Sequence, residues 1–231
     1  MTDDLRMRPL KHGYTNRTVG DGAVVEKTYR GPDADLRRAR EYAWLTRLRG
    51  TLPVPPVHGL ADGTLTLGFV AGTHGQELMA SGRAAQVLAA CGTLLRRLQE
   101  TAPSLLGADA QEGGKVLCHG DFGPNNLLLD PETCQVTALV DWEFAHLGDP
   151  VEDLAWCEWI VRTHHAEHRG ELVHLFEAYG RPVPAWPVRR AAMVARCAAL
   201  ERFCRRHEPD GPGVRQWQER GAATAGWQEG T

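Results

Sequence analysis

The chain of 231 residues is 42% hydrophobic, which is long and apolar enough to bury a core in one domain or in two lobes around a cleft. Its 26 basic and 29 acidic residues leave a formal net charge of -3, so nucleic acid and anionic membranes are not expected as partners. The six cysteines form no CxxC pair and have no zinc-site spacing, which indicates buried, reduced thiols.

Neither a targeting segment nor a membrane span is expected. The residues before Pro9 are polar and lack the apolar region of a signal peptide. No uncharged stretch in the sequence is long enough to cross a bilayer. We therefore expect a cytoplasmic protein.

The chain begins with the pattern of an antiparallel hairpin followed by a helix. Short runs at residues 14–19 and 23–29 flank Gly20-Asp21-Gly22, a typical turn between strands. The helix is predicted to begin after Asp33, which can cap it, and to end by Gly50. The apolar residues predicted to face the sheet are Leu36, Ala39, Ala43, Leu45 and Leu48.

Prolines and small residues mark the connection to the second half of the chain. Three prolines in residues 52–57 exclude a helix there and indicate an extended connector. Residues 65–70 then form a predicted strand, and the small residues at 71–75 suit a crossing between lobes. We place the boundary at Gly72, which gives lobes of residues 1–72 and 73–231.

The second half is predicted to be mainly helical, with a small sheet among its helices. Apolar residues recur there at helical spacing and also form short runs of strand length. The predicted helices cover residues 83–98, 153–161 and 188–206, and the predicted strands cover 116–118, 127–129 and 136–140. From Glu208 onward the chain is polar, rich in glycine and without a period, so we expect a mobile tail.

The most informative segment is residues 118–130, CHGDFGPNNLLLD, followed by VDWE at 140–143. Its loop contains glycine and proline and lies between apolar strands, so it can turn Asp121 and Asn126 into one cleft. Phosphoryl transfer needs a carboxylate near the attacking hydroxyl and oxygen ligands for Mg²⁺. Asp121, Asn126 and Asp141 supply this set, so the segment predicts a phosphotransferase site.

This segment resembles the HGDxxxxN motif of the aminoglycoside phosphotransferase and choline kinase-like family, a branch of the protein-kinase-like fold. Asp141-Trp142-Glu143 is similar to that family's counterpart of the kinase DFG motif, and Gly148-Asp149-Pro150 resembles its continuation. The resemblance implies an α+β, bilobal protein-kinase-like fold with a small β-rich N-lobe and a mainly helical C-lobe.

The resemblance also implies roles for individual residues. Asp121 would be the catalytic base that orients the acceptor hydroxyl, whereas Asn126 and Asp141 would hold Mg²⁺. The neighbours expected to be structural, as loop braces or anchors, are His119, Asp149 and Asp153.

The first lobe resembles the family in the order of its parts. Lys27 lies on the second predicted strand, where its ammonium would meet the phosphates of ATP or GTP, and Glu41 would orient it. Residues 12–17, HGYTNR, resemble the family's nucleotide-covering loop, which makes Asn16 a candidate for cofactor binding. Residues 67–72 resemble the hinge that binds the purine.

Two metal readings compete with this interpretation. His119 and Asp121 are also ligand types for zinc or iron, but no second histidine and carboxylate cluster follows at metal-ligand spacing. His164 and His168 would share one face of a helix, although an exposed polar turn is the simpler interpretation. Trp142, Trp156 and Trp159 could form a stacking platform, but core packing is the simpler interpretation.

The acceptor is expected to be a small hydroxylated molecule whose identity depends on the region after Val161. A cationic acceptor would suit a group of acidic residues, although such residues also occur on any solvated helix face. These residues are Glu152, Glu158, Glu201 and Glu208. The alternatives are an atypical kinase acting on a macromolecule and a non-catalytic nucleotide-binding module.

Overall fold

The computed structural model describes residues 7–11, 16–106 and 114–230 of the chain. The strands are β1 (Arg8–Pro9), β2 (Arg17–Gly20), β3 (Val24–Thr28), β4 (Val57–Ala61), β5 (Thr64–Gly68), β6 (Thr73–His74), β7 (Val116–Cys118), β8 (Leu127–Leu129), β9 (Val136–Leu139) and β10 (His146–Gly148). The α-helices are α1 (Ala34–Leu48), α2 (Gly75–Leu78), α3 (Ala84–Gln99), α4 (Pro103–Leu106), α5 (Val151–His164), α6 (Leu172–Tyr179), α7 (Trp186–His207) and α8 (Pro212–Ala225).

A five-stranded antiparallel sheet forms the first part of the molecule, in the order β1-β2-β3-β5-β4. β2 and β3 are the predicted hairpin, and their turn contains Gly22 at a φ of +88°, which glycine adopts without strain. The carboxylate of Asp21 accepts the amide hydrogens of Ala23 and Val24 and so stabilises the turn. Because β3 also pairs with β5, Lys27 lies on a central strand of the sheet.

Helix α1 is present as expected but buries a different face from the predicted one. Leu45 and Leu48 are buried, whereas the exposed members of the predicted face are Leu36, Ala39 and Ala43. The remaining buried positions are Arg37 and Glu41. The apolar pattern was wrong for this half of the helix because buried partners offset the cost of desolvating two charged side chains there. Asp33 holds the N-cap position but makes no side-chain capping bond.

The second part is mainly helical, with short strands among the helices. β7 pairs with β10, and β6, β8 and β9 form a small antiparallel sheet. The predicted helices at 83–98, 153–161 and 188–206 correspond to α3, α5 and α7. Their buried faces, together with α6, form the core of this part. The α+β class expected from the sequence is therefore confirmed.

The segment after Glu208 corrects the expectation of a mobile tail, because helix α8 packs against α7. A Cβ at Gly213 would lie 3.1 Å from Sγ of Cys204, so glycine permits the close approach of the two helices. Val214 and Thr224 are buried in this contact. The sequence concealed the helix because small residues, rather than a stripe of large apolar ones, form its packing face.

The chain passes from the sheet to the helical part at Gly72. All strands of the five-stranded sheet precede this residue, and β6 after it pairs with β8. A Cβ at Gly72 would lie 2.6 Å from Oγ1 of Thr137, so the crossing strand needs a glycine. We retain residues 1–72 and 73–231 as the proposed lobes.

One helical stretch, Gly75–Gln99, is long and apolar enough by composition to cross a membrane. It is interrupted at Gly82, whose φ is +88°, and half of its most apolar window is buried inside the protein. Val87, Leu88 and Cys91 are among its fully buried residues. This stretch serves as a core helix.

Candidate active site

The loop after β7 is held by the beginning of α5. Both carboxylate oxygens of Asp153 accept backbone hydrogen bonds, from the amides of His119 at 2.6 Å and Gly120 at 2.9 Å. Burial raises the pKa of Asp153, and the hydrogen bonds from these two amides oppose the rise. Gly120 has a φ of +80°, and a Cβ there would lie 2.5 Å from the carbonyl oxygen of Phe144, so only glycine fits.

His119 is fully buried, and both of its ring nitrogens contact the backbone. The amide of Asp121 donates to Nδ1 at 3.3 Å, so Nε2 carries the proton and donates to the carbonyl of Val140 at 2.9 Å. Burial lowers the pKa of His119, although the nearby carboxylates of Asp153 and Asp121 oppose this effect. A neutral ring with both nitrogens occupied braces the loop.

Asp121 follows His119 in this loop, and two neutral donors hold its carboxylate. Nε1 of Trp156 donates to Oδ1 at 2.8 Å, and Nδ2 of Asn126 donates to Oδ2 at 2.9 Å. The residue is half-buried, and each carboxylate oxygen has capacity for a further hydrogen bond. Asp121 can therefore accept a hydrogen bond from a substrate hydroxyl. Trp156 is buried as expected, but its indole N–H also belongs to the site.

An ion-paired cluster lies on the sheet side of the site. Nζ of Lys27 donates to Oε2 of Glu41 at 2.7 Å and to Oδ1 of Asp141 at 2.5 Å. The hydroxyl of Tyr29 also donates to Oε2 of Glu41, at 2.5 Å. The side chains of Lys27 and Glu41 are 4% and 2% exposed, whereas that of Asp141 is 39% exposed, so the cluster opens to solvent at Asp141.

The charges in this cluster stabilise one another. Burial acts to lower the pKa of Lys27, but Asp141 and Glu41 more than offset it and raise the pKa. Burial also acts to raise the pKa of Asp141, yet the ammonium of Lys27 lowers it overall. For Glu41, burial outweighs Lys27 and raises the pKa. The cluster thus presents an ionised carboxylate at Asp141.

Asn126 and Asp141 fit the Mg²⁺ that the family resemblance implies. The amide of Val140 donates to the carbonyl of Asn126 at 3.0 Å, which brings Asp141 beside Asn126. Because the amide nitrogen of Asn126 faces Asp121, its amide oxygen is the atom left for a cation. An amide oxygen and an ionised carboxylate are the hard donors that Mg²⁺ prefers.

A cavity of about 270 Å³ lies beside this cluster, between the sheet and the helical part. Its polar end contains Lys27, Glu41 and Asp141. The predicted hinge lines it as well, and the amides of Gly68 and Phe69 in that hinge donate to backbone carbonyls within the protein. The apolar side chains of its walls include Val25, Leu67, Leu128 and Val140. An apolar cavity with a charged end suits a nucleotide, whose base is flat and apolar and whose phosphates are charged.

The model of the phosphotransferase enzyme family matches residues 104–192, which contain the loop of Asp121 and the Asp141 segment. The structure also superposes on the GDP complex of aminoglycoside 2'-phosphotransferase-IIIa with a TM-score of 0.70. That superposition covers 97% of this chain and 94% of the other, at 12% sequence identity. The resemblance to the aminoglycoside phosphotransferase family is confirmed. So is the bilobal protein-kinase-like fold.

Curated proteins match over shorter stretches. The aminoglycoside 3'-phosphotransferase of Streptomyces fradiae is 40% identical over 62 residues, which is 27% of this chain and 20% of that protein. The acyl-CoA dehydrogenase family member 10 of Mus musculus is 50% identical over 41 residues, which is 18% of this chain and 4% of that protein. The matches thus cover a small part of these relatives. They show a sequence similarity between the matched segments and nothing about the rest of either protein.

Asn16 belongs to a buried hydrogen-bond network outside the cavity. It is buried, its Nδ2 donates to Oε2 of Glu143 at 2.7 Å, and its Oδ1 accepts from Nη1 of Arg37 at 3.3 Å. It is not among the residues that line the 270 Å³ cavity. Residues 12–15 of the predicted nucleotide loop lie outside the described residues. Nucleotide binding by Asn16 stays a prediction, beside a structural role that the sequence did not indicate.

Arg37 and Glu143 are site-supporting residues that sequence reasoning missed. Nη1 of Arg37 donates to Oε2 of Glu143 at 2.7 Å, and both side chains are buried. Nη1 of Arg40 donates to the backbone carbonyl of Glu143 at 3.2 Å. These bonds tie α1 to the turn after Asp141. A signal was present, because Arg37 and Glu41 are four residues apart and so share one helix face.

The alternative metal clusters are not assembled in the part of the chain that the structure describes. There, the grouping with ligand atoms close enough for a metal is Cys118, His146 and Glu152, within 4.8 Å of one another. Nε2 of His146 already contacts Oε2 of Glu152 at 2.9 Å, and burial raises the pKa of the Cys118 thiol. His164 ends α5, before a short 3₁₀ helix at Ala166–Glu171.

Proposed function

We propose that this chain transfers the γ-phosphate of ATP or GTP, with Mg²⁺, to a hydroxyl group of a small molecule. The observation that carries the proposal is that the Lys27–Asp141 pair lies at the charged end of an apolar cavity. Asn126 lies next to Asp141, and its side chain is hydrogen-bonded to Asp121. The family match supports the proposal, and so does the GDP bound to a protein of the same fold. The six free cysteines support a reducing, cytoplasmic location.

In this proposal the nucleotide base occupies the apolar part of the cavity and the phosphates meet Lys27. Glu41 holds Lys27 in place, because its carboxylate accepts hydrogen bonds from both Lys27 and the Tyr29 hydroxyl. Asn126 and Asp141 hold the Mg²⁺, which neutralises charge on the phosphates when bound. The nucleotide is then held by Lys27 of the sheet and by Asn126 and Asp141 of the helical part.

Asp121 acts on the acceptor. Its carboxylate accepts the hydrogen bond of the acceptor hydroxyl and orients that oxygen toward the γ-phosphorus. A bond forms between the acceptor oxygen and the γ-phosphorus, and the bond from that phosphorus to the β,γ-bridging oxygen breaks. The hydroxyl proton passes to Asp121 and then to solvent, and the nucleoside diphosphate leaves.

The test is nucleoside diphosphate formation by the purified protein with Mg²⁺, ATP or GTP, and a panel of hydroxylated small molecules. We expect turnover that requires one acceptor class and falls by about 10²–10⁴-fold in Asp121→Asn. Nucleotide affinity should be retained in that variant, because Asp121 is not among the residues that line the nucleotide cavity.

Other outcomes point to other functions. Nucleotide binding without turnover on any small molecule would favour a kinase for macromolecules, which mixed protein substrates would reveal, or a regulatory module if they are not phosphorylated either. Failure to bind either nucleotide would contradict the proposal as a whole.

A further inference from the structure

Arg196 is a half-buried charged side chain, and two of its nitrogen atoms have no hydrogen-bond partner within the described protein. It lies on α7, and its Nε and Nη2 are shielded from solvent without a hydrogen-bond partner. Its guanidinium lies 5.6 Å from the ring centre of Trp156 and 5.2 Å from that of Phe144. Aromatic faces attract the cation but accept no hydrogen bonds in the plane of its N–H groups. These donors can therefore bind a further oxygen atom.

Trp156 links Arg196 to Asp121, because its ring centre lies 5.6 Å from the guanidinium and its Nε1 donates to Oδ1 of Asp121 at 2.8 Å. Burial lowers the pKa of Arg196, and the charges of Asp121, Asp153 and Glu152 oppose this effect. Asp121 accepts from Trp156 and Asn126. Asp153 accepts from two backbone amides of the catalytic loop. Among the residues that the structure describes, the cation therefore lies near the proposed base without a direct ion pair.

A buried stack of aromatic rings with cations beside it lies behind Asp121. Trp156 and Trp159 stack in parallel with ring centres 4.4 Å apart, and Trp217 lies 6.1 Å from Trp156. The guanidinium of Arg220 lies 4.6 Å over Trp217. The arginine cations beside this stack favour a ligand with a negative charge.

The acidic residues that would attract a cationic acceptor are largely engaged already. Glu152 contacts Nε2 of His146 at 2.9 Å. Glu158 is fully buried, and its two carboxylate oxygens pair with Arg162 and Arg189. Glu201 pairs with Arg205 at 2.5 Å. Their carboxylates thus give little support to a polycationic acceptor.

We propose that Arg196 binds a carboxylate or phosphate group of the acceptor whose hydroxyl Asp121 orients, so that the acceptor is an anion rather than a polycation. The inference rests on the proposed kinase function and specifies its substrate class. A guanidinium binds such groups through parallel hydrogen bonds, which would satisfy the unused donors of Arg196. An ammonium group at the same place would meet a like charge. Arg196 takes no part in bond making or breaking.

Matched acceptors test the charge preference directly. One set is 4-(aminomethyl)benzyl alcohol, benzyl alcohol and 4-(hydroxymethyl)benzoate, which share a primary hydroxyl and a flat ring and are cationic, neutral and anionic. A second set is glucosamine, glucose and glucuronate. We expect kcat/KM to be highest for the anionic member of a set, by about tenfold or more. Arg196→Met should remove this preference, and Arg196→Lys should retain part of it.

Two controls separate acceptor recognition from other roles. Arg202→Met, an exposed arginine on the same helix, should leave the preference unchanged. If turnover of every acceptor falls alike in Arg196→Met, whatever the charge of the acceptor, Arg196 serves the transferred phosphate instead, and the proposal is wrong.

A binding measurement keeps the test independent of turnover. Isothermal titration of 4-(hydroxymethyl)benzoate and glucuronate into the protein with ADP and Mg²⁺ should show binding that Arg196→Met abolishes and Arg196→Lys weakens. Such binding without any turnover would support the anion site while counting against the kinase function. A preference for the cationic probes, or no binding of either anion, would overturn the anion site itself. If Arg196→Met does not fold, the charge preference of the wild-type protein among the matched acceptors still tests the anion site.

Discussion

The two sides of the cleft hold their carboxylates in opposite ways. On the helical side, Asp121 receives one hydrogen bond from Trp156 and another from Asn126, and both donors are neutral. On the sheet side, Glu41 and Asp141 share the ammonium of Lys27. The carboxylate of Asp121 is thus positioned without a paired cation, whereas those of Glu41 and Asp141 are positioned by Lys27.

This difference matches the different tasks proposed for the two sides. Neutral donors fix the direction of a carboxylate and still allow it to take a proton from a substrate. A paired cation lowers the pKa of Asp141 against the effect of burial, and so keeps that residue ionised for a metal. The comparison teaches that the proposed base, Asp121, and the proposed metal ligand, Asp141, differ in their hydrogen-bond donors although both are aspartates.

The largest expected loss of stability comes from removing the ammonium of Lys27. Lys27→Met leaves the buried Glu41 without its charged partner, because the lysine is 4% exposed and the glutamate 2%. We expect the free energy of unfolding to fall by about 3–5 kcal/mol, as for a broken buried ion pair. Urea unfolding at neutral pH measures this loss.

A matched control is Lys11→Met, because Lys11 pairs with Glu77 in an exposed position. That change should cost less than about 1 kcal/mol. The double variant Lys27→Met/Glu41→Gln should recover part of the lost stability and none of the lost activity. Equal losses for Lys27→Met and Lys11→Met would contradict the buried, charge-stabilised cluster.

A smaller effect is expected from the tether between α1 and the turn after Asp141. Glu143→Gln replaces the charged acceptor that serves Arg37 and Asn16 by a neutral amide. We expect a loss of about 2 kcal/mol in the free energy of unfolding, typical of a hydrogen bond to a charged group. Glu132→Gln at an exposed turn should change little. If both variants unfold alike, the tether contributes nothing to stability.

The helical side is tested by removing one neutral donor. Trp156→Phe deletes the N–H that binds Oδ1 of Asp121, and we expect kcat to fall about tenfold because the base loses its fixed direction. Trp159→Phe is the matched control, since Trp159 lies in the same stack but donates to Oγ1 of Thr224. It should lower stability and spare kcat. Equal kcat values for the two variants would mean that the Trp156 bond does not position the base.

The smallest effect concerns a pair behind the catalytic loop. The hydrogen bond to Glu152 raises the pKa of His146 above its usual 6.5, against the effect of burial. The stabilisation is therefore complete below about pH 6.5 and is lost as the pH rises through the raised pKa. We expect less than about 1 kcal/mol, since both side chains are about 40% exposed. Thermal unfolding of His146→Gln should lose this pH dependence, and an unchanged slope would assign it to another group.

The amino-acid sequence was sufficient to predict that Asp121 and Asn126 lie together in one loop, because the two residues are close along the chain. Asp121 and Asn126 are five residues apart, and glycine and proline between them mark a loop at the end of a strand. The sequence also indicated the β2–β3 hairpin and the helices α3, α5 and α7, since their turn residues and apolar spacing act over short distances.

Only the tertiary structure decided which distant residues support that loop. Trp156 meets Asp121 across 35 positions, Lys27 meets Asp141 across 114 and Asn16 meets Glu143 across 127. Burial of Arg37 and Glu41 on α1, and packing of α8 through small residues, were also hidden from a reading of apolar patterns. Such contacts depend on desolvation and charge pairing between separate elements, which residue spacing along one element does not encode.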